Sequence, residues 1–138
     1  MNVLVDTNVL VSAVIRGRLP QRVIDEIVSR NDWFWITTTE IEREYREVLA
    51  RPKFKIPEAT QQRWIRFIED ATVRVEPTIH PTFPRDPKDA PFLAAALASD
   101  ADYLITSDKD LLDEPEVSRL VSTRIVRPTE FARMFDIL

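Results

Sequence analysis

The 138-residue sequence predicts an α/β sandwich around a mainly parallel sheet. Three observations carry that prediction. Short apolar or β-branched runs at 2–5, 33–37, 72–75, 103–106 and 124–126 read as strands. Segments with apolar residues at helical spacing separate most of them, leaving room for the crossovers a parallel sheet requires. The run Trp33-Phe34-Trp35-Ile36-Thr37 shows no polar alternation, as expected of a strand covered on both faces.

The elements follow in order. The first strand ends in Asp6-Thr7-Asn8, polar residues that can cap what comes next. Residues 9–15 continue apolar. Pro20 opens a second helical segment with Val23, Ile24, Ile27 and Val28 on one face. From Thr38 the pattern is helical again, with Ile41, Tyr45, Val48 and Leu49 apolar, and it stops near Arg51-Pro52. Pro57 starts another helix through Trp64, Ile65 and Ile68. The loop after the 72–75 strand carries prolines at 77, 81, 84 and 87 and is too short to separate domains, so one domain over 1–138 is expected. A small-residue helix at 92–98 precedes the 103–106 strand, which closes on Ser107-Asp108, and a last helix is expected near 129–135.

Composition removes several chemistries. With no cysteine there is no thiolate nucleophile and no Cys-ligated zinc or iron–sulfur site. The single glycine, where average usage of about 7% gives on the order of ten, excludes glycine-rich phosphate and dinucleotide loops. The single histidine, His80, lies in a proline-rich loop and reads as solvated. No apolar run approaches the ~18 residues of a membrane span, and no basic leader precedes a long apolar stretch. A cytoplasmic protein is expected. The charge of −4 means that any nucleic-acid contact comes from a local basic patch.

What remains for chemistry is carboxylate. Asp6 follows the first strand and Asp108 the 103–106 strand; in a parallel sheet both project from the edge where ligands bind. Each also has an ordinary turn or cap reading. Ser107 and Asp110 have the spacing of a capping box, which leaves Asp108 outside the cap. Glu44 borders the apolar face of its helix, whereas Glu40 and Glu47 point towards water; it either pairs with Arg43, Arg46 or Arg51 or meets a metal. Asp86 and Asp89 lie ahead of the small-residue helix. Asp86 before Pro87 resembles an N-cap, but Pro91 places the helix start nearer Asp89, itself a competent cap. Three or four such acids, without histidine or cysteine, make a hard-oxygen site suited to Mg²⁺ or Mn²⁺ and to phosphate chemistry.

Four markers in order then resemble the PIN-domain family, specifically single-domain bacterial PIN proteins related to VapC-type toxins, over essentially the whole chain. They are Val3-Leu4-Val5-Asp6-Thr7-Asn8, Glu44-Tyr45-Arg46-Glu47-Val48-Leu49, Arg85-Asp86-Pro87-Lys88-Asp89, and the stretch from Ala101 through Asp108 to Leu111. The resemblance implies a three-layer α/β/α sandwich and a metal-dependent ribonuclease whose acids fall on Asp6, Glu44, Asp89 and Asp108. Asp86 is an extra acid of the single-domain subgroup. It further implies an RNA substrate, an antitoxin protein as partner and a homodimer. The apolar faces of 20–30 and 57–70 are expected to exceed what one sheet covers. Pro91 and the net acidity depart from the family pattern.

On this reading Thr7, Asn8, Thr106 and Ser107 support the acids by hydrogen bonds. Arg16, Arg18, Lys53, Lys55, Arg85, Lys88 and Lys109 are the candidate phosphate contacts, and Trp33, Trp35, Trp64 and Phe92 belong to the core. Two alternatives come from other classes: a catalytically idle PIN-fold interaction module, and a phosphatase working through an aspartyl-phosphate. Intact acids at all four positions disfavour the first. The second lacks the acid two residues after Asp6 that haloacid-dehalogenase-like enzymes use.

Overall fold

The computed structural model describes residues 1–81, 87–113 and 122–137. Five strands are present, β1 (Asn2–Val5), β2 (Phe34–Thr37), β3 (Thr72–Arg74), β4 (Tyr103–Ile105) and β5 (Arg124–Val126). Around them stand α1 (Thr7–Arg16), α2 (Arg18–Ser29), α3 (Thr39–Leu49), α4 (Glu58–Ala71), α5 (Ala90–Ser99), α6 (Lys109–Asp113) and α7 (Pro128–Met134). Short 3-10 turns occupy Pro52–Phe54 and Pro87–Asp89.

The sheet is wholly parallel, in the order β3-β2-β1-β4-β5. Val3, Leu4 and Val5 are successive residues that point to opposite faces, yet all three are fully buried, so helices cover both faces of the central strand. This is the expected α/β/α layering. From β1 the chain steps outward through β2 and β3, then returns to place β4 on the other side of β1. The direction of winding therefore reverses between β1 and β4. In open α/β sheets the crevice beyond the strand ends at such a reversal takes the ligand.

Local chemistry accounts for the element ends. Asp6 caps α1, and Thr38 caps α3 by accepting the Ile41 amide at 3.1 Å. The chain's one glycine, Gly17, takes φ +66° at the corner between α1 and α2, where a Cβ would lie 3.0 Å from Gln21 Oε1. α2 starts at Arg18, ahead of Pro20, and α5 begins two residues earlier than the apolar pattern suggests. On α2, Val23, Ile24 and Ile27 are fully buried within the chain, while Val28 of the same face stays exposed. On α4 only Ile68 is buried, while Trp64 and Phe67 stay half-buried.

Glu42, which the apolar spacing of α3 does not single out, is buried and paired with Arg74 of β3. The Glu42 side chain is 8% exposed and Arg74 52%, so removing the arginine strands a carboxylate away from water. Because the guanidinium is half in solvent, Arg74→Ala is expected to cost only about 1–3 kcal/mol. Thermal melts should show Arg74→Ala below wild type, and the double variant with Glu42→Gln recovering part of the loss. A double variant that melts below the single one would show that the pair is not the cause.

Candidate active site

Asp6 emerges directly from β1 in an extended N-cap conformation, φ −63° and ψ 149°. Its Oδ1 accepts the Thr7 amide at 2.8 Å and its Oδ2 accepts the Thr106 hydroxyl at 2.6 Å. Thr106, just beyond β4, also accepts the Asp108 amide on the same oxygen at 2.9 Å. One fully buried hydroxyl thus ties together the ends of the two central strands. The register delivers this meeting: Val5 pairs with Ile105, and the Asp6 amide donates to the Ile105 carbonyl at 2.9 Å. From α3, the buried Tyr45 hydroxyl donates to the Val5 carbonyl and pins the end of β1.

Asp108 is the N-cap of α6, its Oδ1 accepting the Asp110 amide at 2.9 Å. This corrects the capping-box reading of Ser107, which left Asp108 outside the cap. One residue thus both starts a helix and lines the site. Asp89 arrives from a third direction, where the 3-10 turn Pro87–Asp89 runs straight into α5. Its backbone is helical, φ −83° and ψ −17°, and its side chain makes no capping bond, contrary to expectation. It is buried at the site instead. Pro91 is harmless there, because amides of the first helical turn have no intrahelical partner to lose.

One ligand atom each from Asp6, Asp89 and Asp108 lies within 4.8 Å of the others. All three line a cavity of about 330 Å³ at the carboxyl edge of the sheet. Glu44 lines the same cavity but stands outside that trio among the described residues, its Oε2 accepting the Thr7 hydroxyl. Of the three arginines offered to it by the sequence, Arg46 bonds to Glu69 and Arg51 to Glu47, although the Arg51 charge still acts on Glu44. Asp86 and Arg85 lie outside the described residues.

The electrostatics are those of a crowded acidic pocket. Burial pushes the Asp6 carboxyl up to about 6; the Thr106 and Thr7 bonds oppose this, and the charges of Glu44 and Asp108 add to it. Burial also raises Glu44, with Glu47 adding and Thr7, Lys88 and Arg51 opposing. Acids held this close are best relieved by a cation among them. The donor set is all carboxylate oxygen, which fits Mg²⁺ or Mn²⁺.

A family model for the PIN domain matches residues 2–110. The chain belongs to the PIN-domain family. A solved structure similar in fold to this PIN domain is the crystal structure of VapBC2 from Rickettsia felis bound to a DNA fragment from their promoter. The likeness has a TM-score of 0.63 at 12% identity, covering 92% of this chain and 98% of the other. A comparison with the curated proteins finds no match.

Within the PIN domain the remaining sequence expectations sort clearly. Thr7 and Thr106 hold acids as anticipated, and Asn8 lines the cavity. Trp33, Trp35 and Phe92 are buried core, and His80 is exposed in its loop. Of the candidate phosphate contacts, Lys88 lines the cavity, while Arg16, Arg18, Lys53 and Lys55 are exposed outside its lining. Four lining residues were missed as site residues, the apolar Val11 and Val48 together with Arg51 and Phe54. Helical spacing could not single out Arg51, because α3 ends at Leu49 and Arg51 stands just ahead of the 3-10 turn that follows.

Proposed function

We propose that this PIN domain is a Mg²⁺- or Mn²⁺-dependent ribonuclease, the toxin of a toxin–antitoxin pair, acting in the cytoplasm as a homodimer. The observation that carries the reading is the convergence of Asp6, Asp89 and Asp108 where the sheet reverses its winding. Family membership supports nuclease chemistry. The likeness in fold to VapBC2 supports an antitoxin protein as partner.

In this reading Asp6, Asp89 and Asp108 hold the ion, with Asp86 as an additional acid. A bound Mg²⁺ or Mn²⁺ supplies Lewis acidity towards a phosphate oxygen and makes water a better nucleophile. Thr106 keeps Asp6 and Asp108 in register, so neither carboxylate has to reorganise when substrate arrives. Glu44, half-buried with a raised pKa and steadied by Thr7, is placed to take a proton from the attacking water. No side-chain nucleophile is needed.

The test is cleavage of single-stranded RNA, expected with Mg²⁺ or Mn²⁺ and absent in excess EDTA. Within the site, Asp89→Asn should weaken Mn²⁺ binding on the order of 10- to 100-fold by calorimetry. Asp86→Asn should lose less, because an acid ahead of Pro87 has a sufficient structural reason to be there. Equal losses would make Asp86 a full ligand.

A further inference from the structure

We infer that Arg51 and Phe54 form a nucleotide subsite beside the acidic cluster, the guanidinium taking a non-scissile phosphate and the ring stacking on a base. The inference rests on the ribonuclease reading above and names which part of the substrate this cavity holds.

Glu44 and Val48, one helical turn apart on α3, line the cavity, and Arg51 and Phe54, in the segment that follows the end of α3 at Leu49, line it too. The same cavity thus holds carboxylates, the apolar Val48 and Val11 of α1, a cation and an aromatic ring. A bare phosphate or a small phosphomonoester is satisfied by the acids and an ion alone. A cation and a ring sharing the cavity with the acids match a polymer, whose neighbouring phosphate and base must sit somewhere.

The segment that presents these residues is built rather than loose. Pro52 opens the 3-10 turn, the Phe54 amide donates to the Arg51 carbonyl at 3.1 Å, and the Lys55 amide donates to the Pro52 carbonyl at 3.1 Å. Lys55 closes the turn at φ +51°, a left-handed conformation that a non-glycine residue adopts at a cost. The buried Ile56 anchors the exit, and its carbonyl accepts the Gln61 side chain at 2.8 Å. Arg51 bonds to the exposed Glu47 at 3.3 Å, a pair weak enough to yield to a phosphate. Arg is also the side chain suited to a phosphate, through its planar fork of donors.

The test compares wild type with Arg51→Gln, Phe54→Leu and Phe54→Tyr. It uses anisotropy of a labelled single-stranded RNA oligomer in EDTA, Mn²⁺-dependent cleavage across a salt series, and Mn²⁺ calorimetry. Arg51→Gln should raise the RNA Kd and the KM about tenfold and flatten the log–log salt slope by about 0.7, the share of one phosphate on a single strand. Its Mn²⁺ affinity should stay within about twofold of wild type. Phe54→Leu should raise KM about five- to tenfold, with Phe54→Tyr restoring most of it. Wild-type KM and slope in Arg51→Gln would overturn the inference while leaving the ribonuclease reading standing; a protein segment as the occupant of this end predicts that result. Loss of Mn²⁺ affinity in Arg51→Gln would also overturn it, by showing that the arginine shapes the acidic cluster. A wild-type protein that neither binds nor cuts RNA removes both readings together.

Discussion

Replacing Asp6 by asparagine should lower RNA cleavage on the order of 10- to 100-fold or more, while raising the melting temperature of the metal-stripped protein at neutral pH. The two effects have one cause. Asp6 is buried, and its carboxyl titrates near 6 in the fold against 3.8 as an ordinary aspartate. Between those values the folded chain holds a proton that the unfolded chain has released, so stability falls as pH rises from 4 through 6. Above that window the ionised group costs about 2–3 kcal/mol. Asparagine keeps the shape and the acceptor for the Thr7 amide but carries no charge. In EDTA the variant should therefore melt higher than wild type at pH 7, and the gap should close as pH falls through 6 towards 4. Adding Mn²⁺ should reverse the order, because wild type gains binding energy and the variant gains less. Full activity in Asp6→Asn, or equal RNA cleavage in excess EDTA, would sink the metal mechanism. An asparagine variant that melts lower than wild type in EDTA would show that the Thr106 bond outweighs the buried charge.

Phe131→Ala should be among the most destabilising single changes in the protein and yet leave the chemistry alone. Phe131 is fully buried, in ring contact with Trp33, Tyr103 and Phe135 at centroid distances of 5.7, 5.4 and 4.8 Å. These rings clamp α7 to the starts of β2 and β4, and Arg30 lies over Trp33 at 4.0 Å. That is the amino edge of the sheet, opposite the acids. Losing a buried phenyl ring leaves a cavity worth about 3–5 kcal/mol. For a chain of this size the melting temperature should drop on the order of 10–15 °C. At temperatures where the variant is still folded by circular dichroism, its kcat and Mn²⁺ affinity should match wild type. A folded variant with collapsed kcat would mean that the two edges of the sheet are coupled.

The strands were legible because burial on both faces removes the need for polar alternation, leaving runs such as Val3-Leu4-Val5 that nothing else explains. The acids at strand ends were legible for a related reason: a parallel sheet sends every carboxyl end to the same edge. What escaped depends on contacts far apart in sequence. The burial of Glu42 makes sense only with Arg74, which approaches from β3, 32 residues further along the chain. Asp108 could not be recognised as the cap of α6 because Ser107 and Asp110 offer an equally good local pattern, and a five-residue helix leaves no apolar period to choose between them. The spacing around Pro91 put Asp89 at the start of α5 but not the direction of its side chain, which makes no capping bond and is buried against the cavity.

The central position of β1 also sets a timetable for the making of this protein. Its first strand lies in the middle of the sheet, flanked by β2 and by β4. The bond from Thr106 to Asp6 closes a loop of 100 residues. A chain emerging from the ribosome can pair β1 with β2 early, but one side of β1 stays open until β4 has been synthesised, and such distant pairings are slow to form. The acidic pocket thus comes together only when most of the polypeptide exists. A truncated product carries Asp6 without Asp108, so on the proposed ribonuclease reading it has little capacity to attack its own messenger before its synthesis is nearly complete.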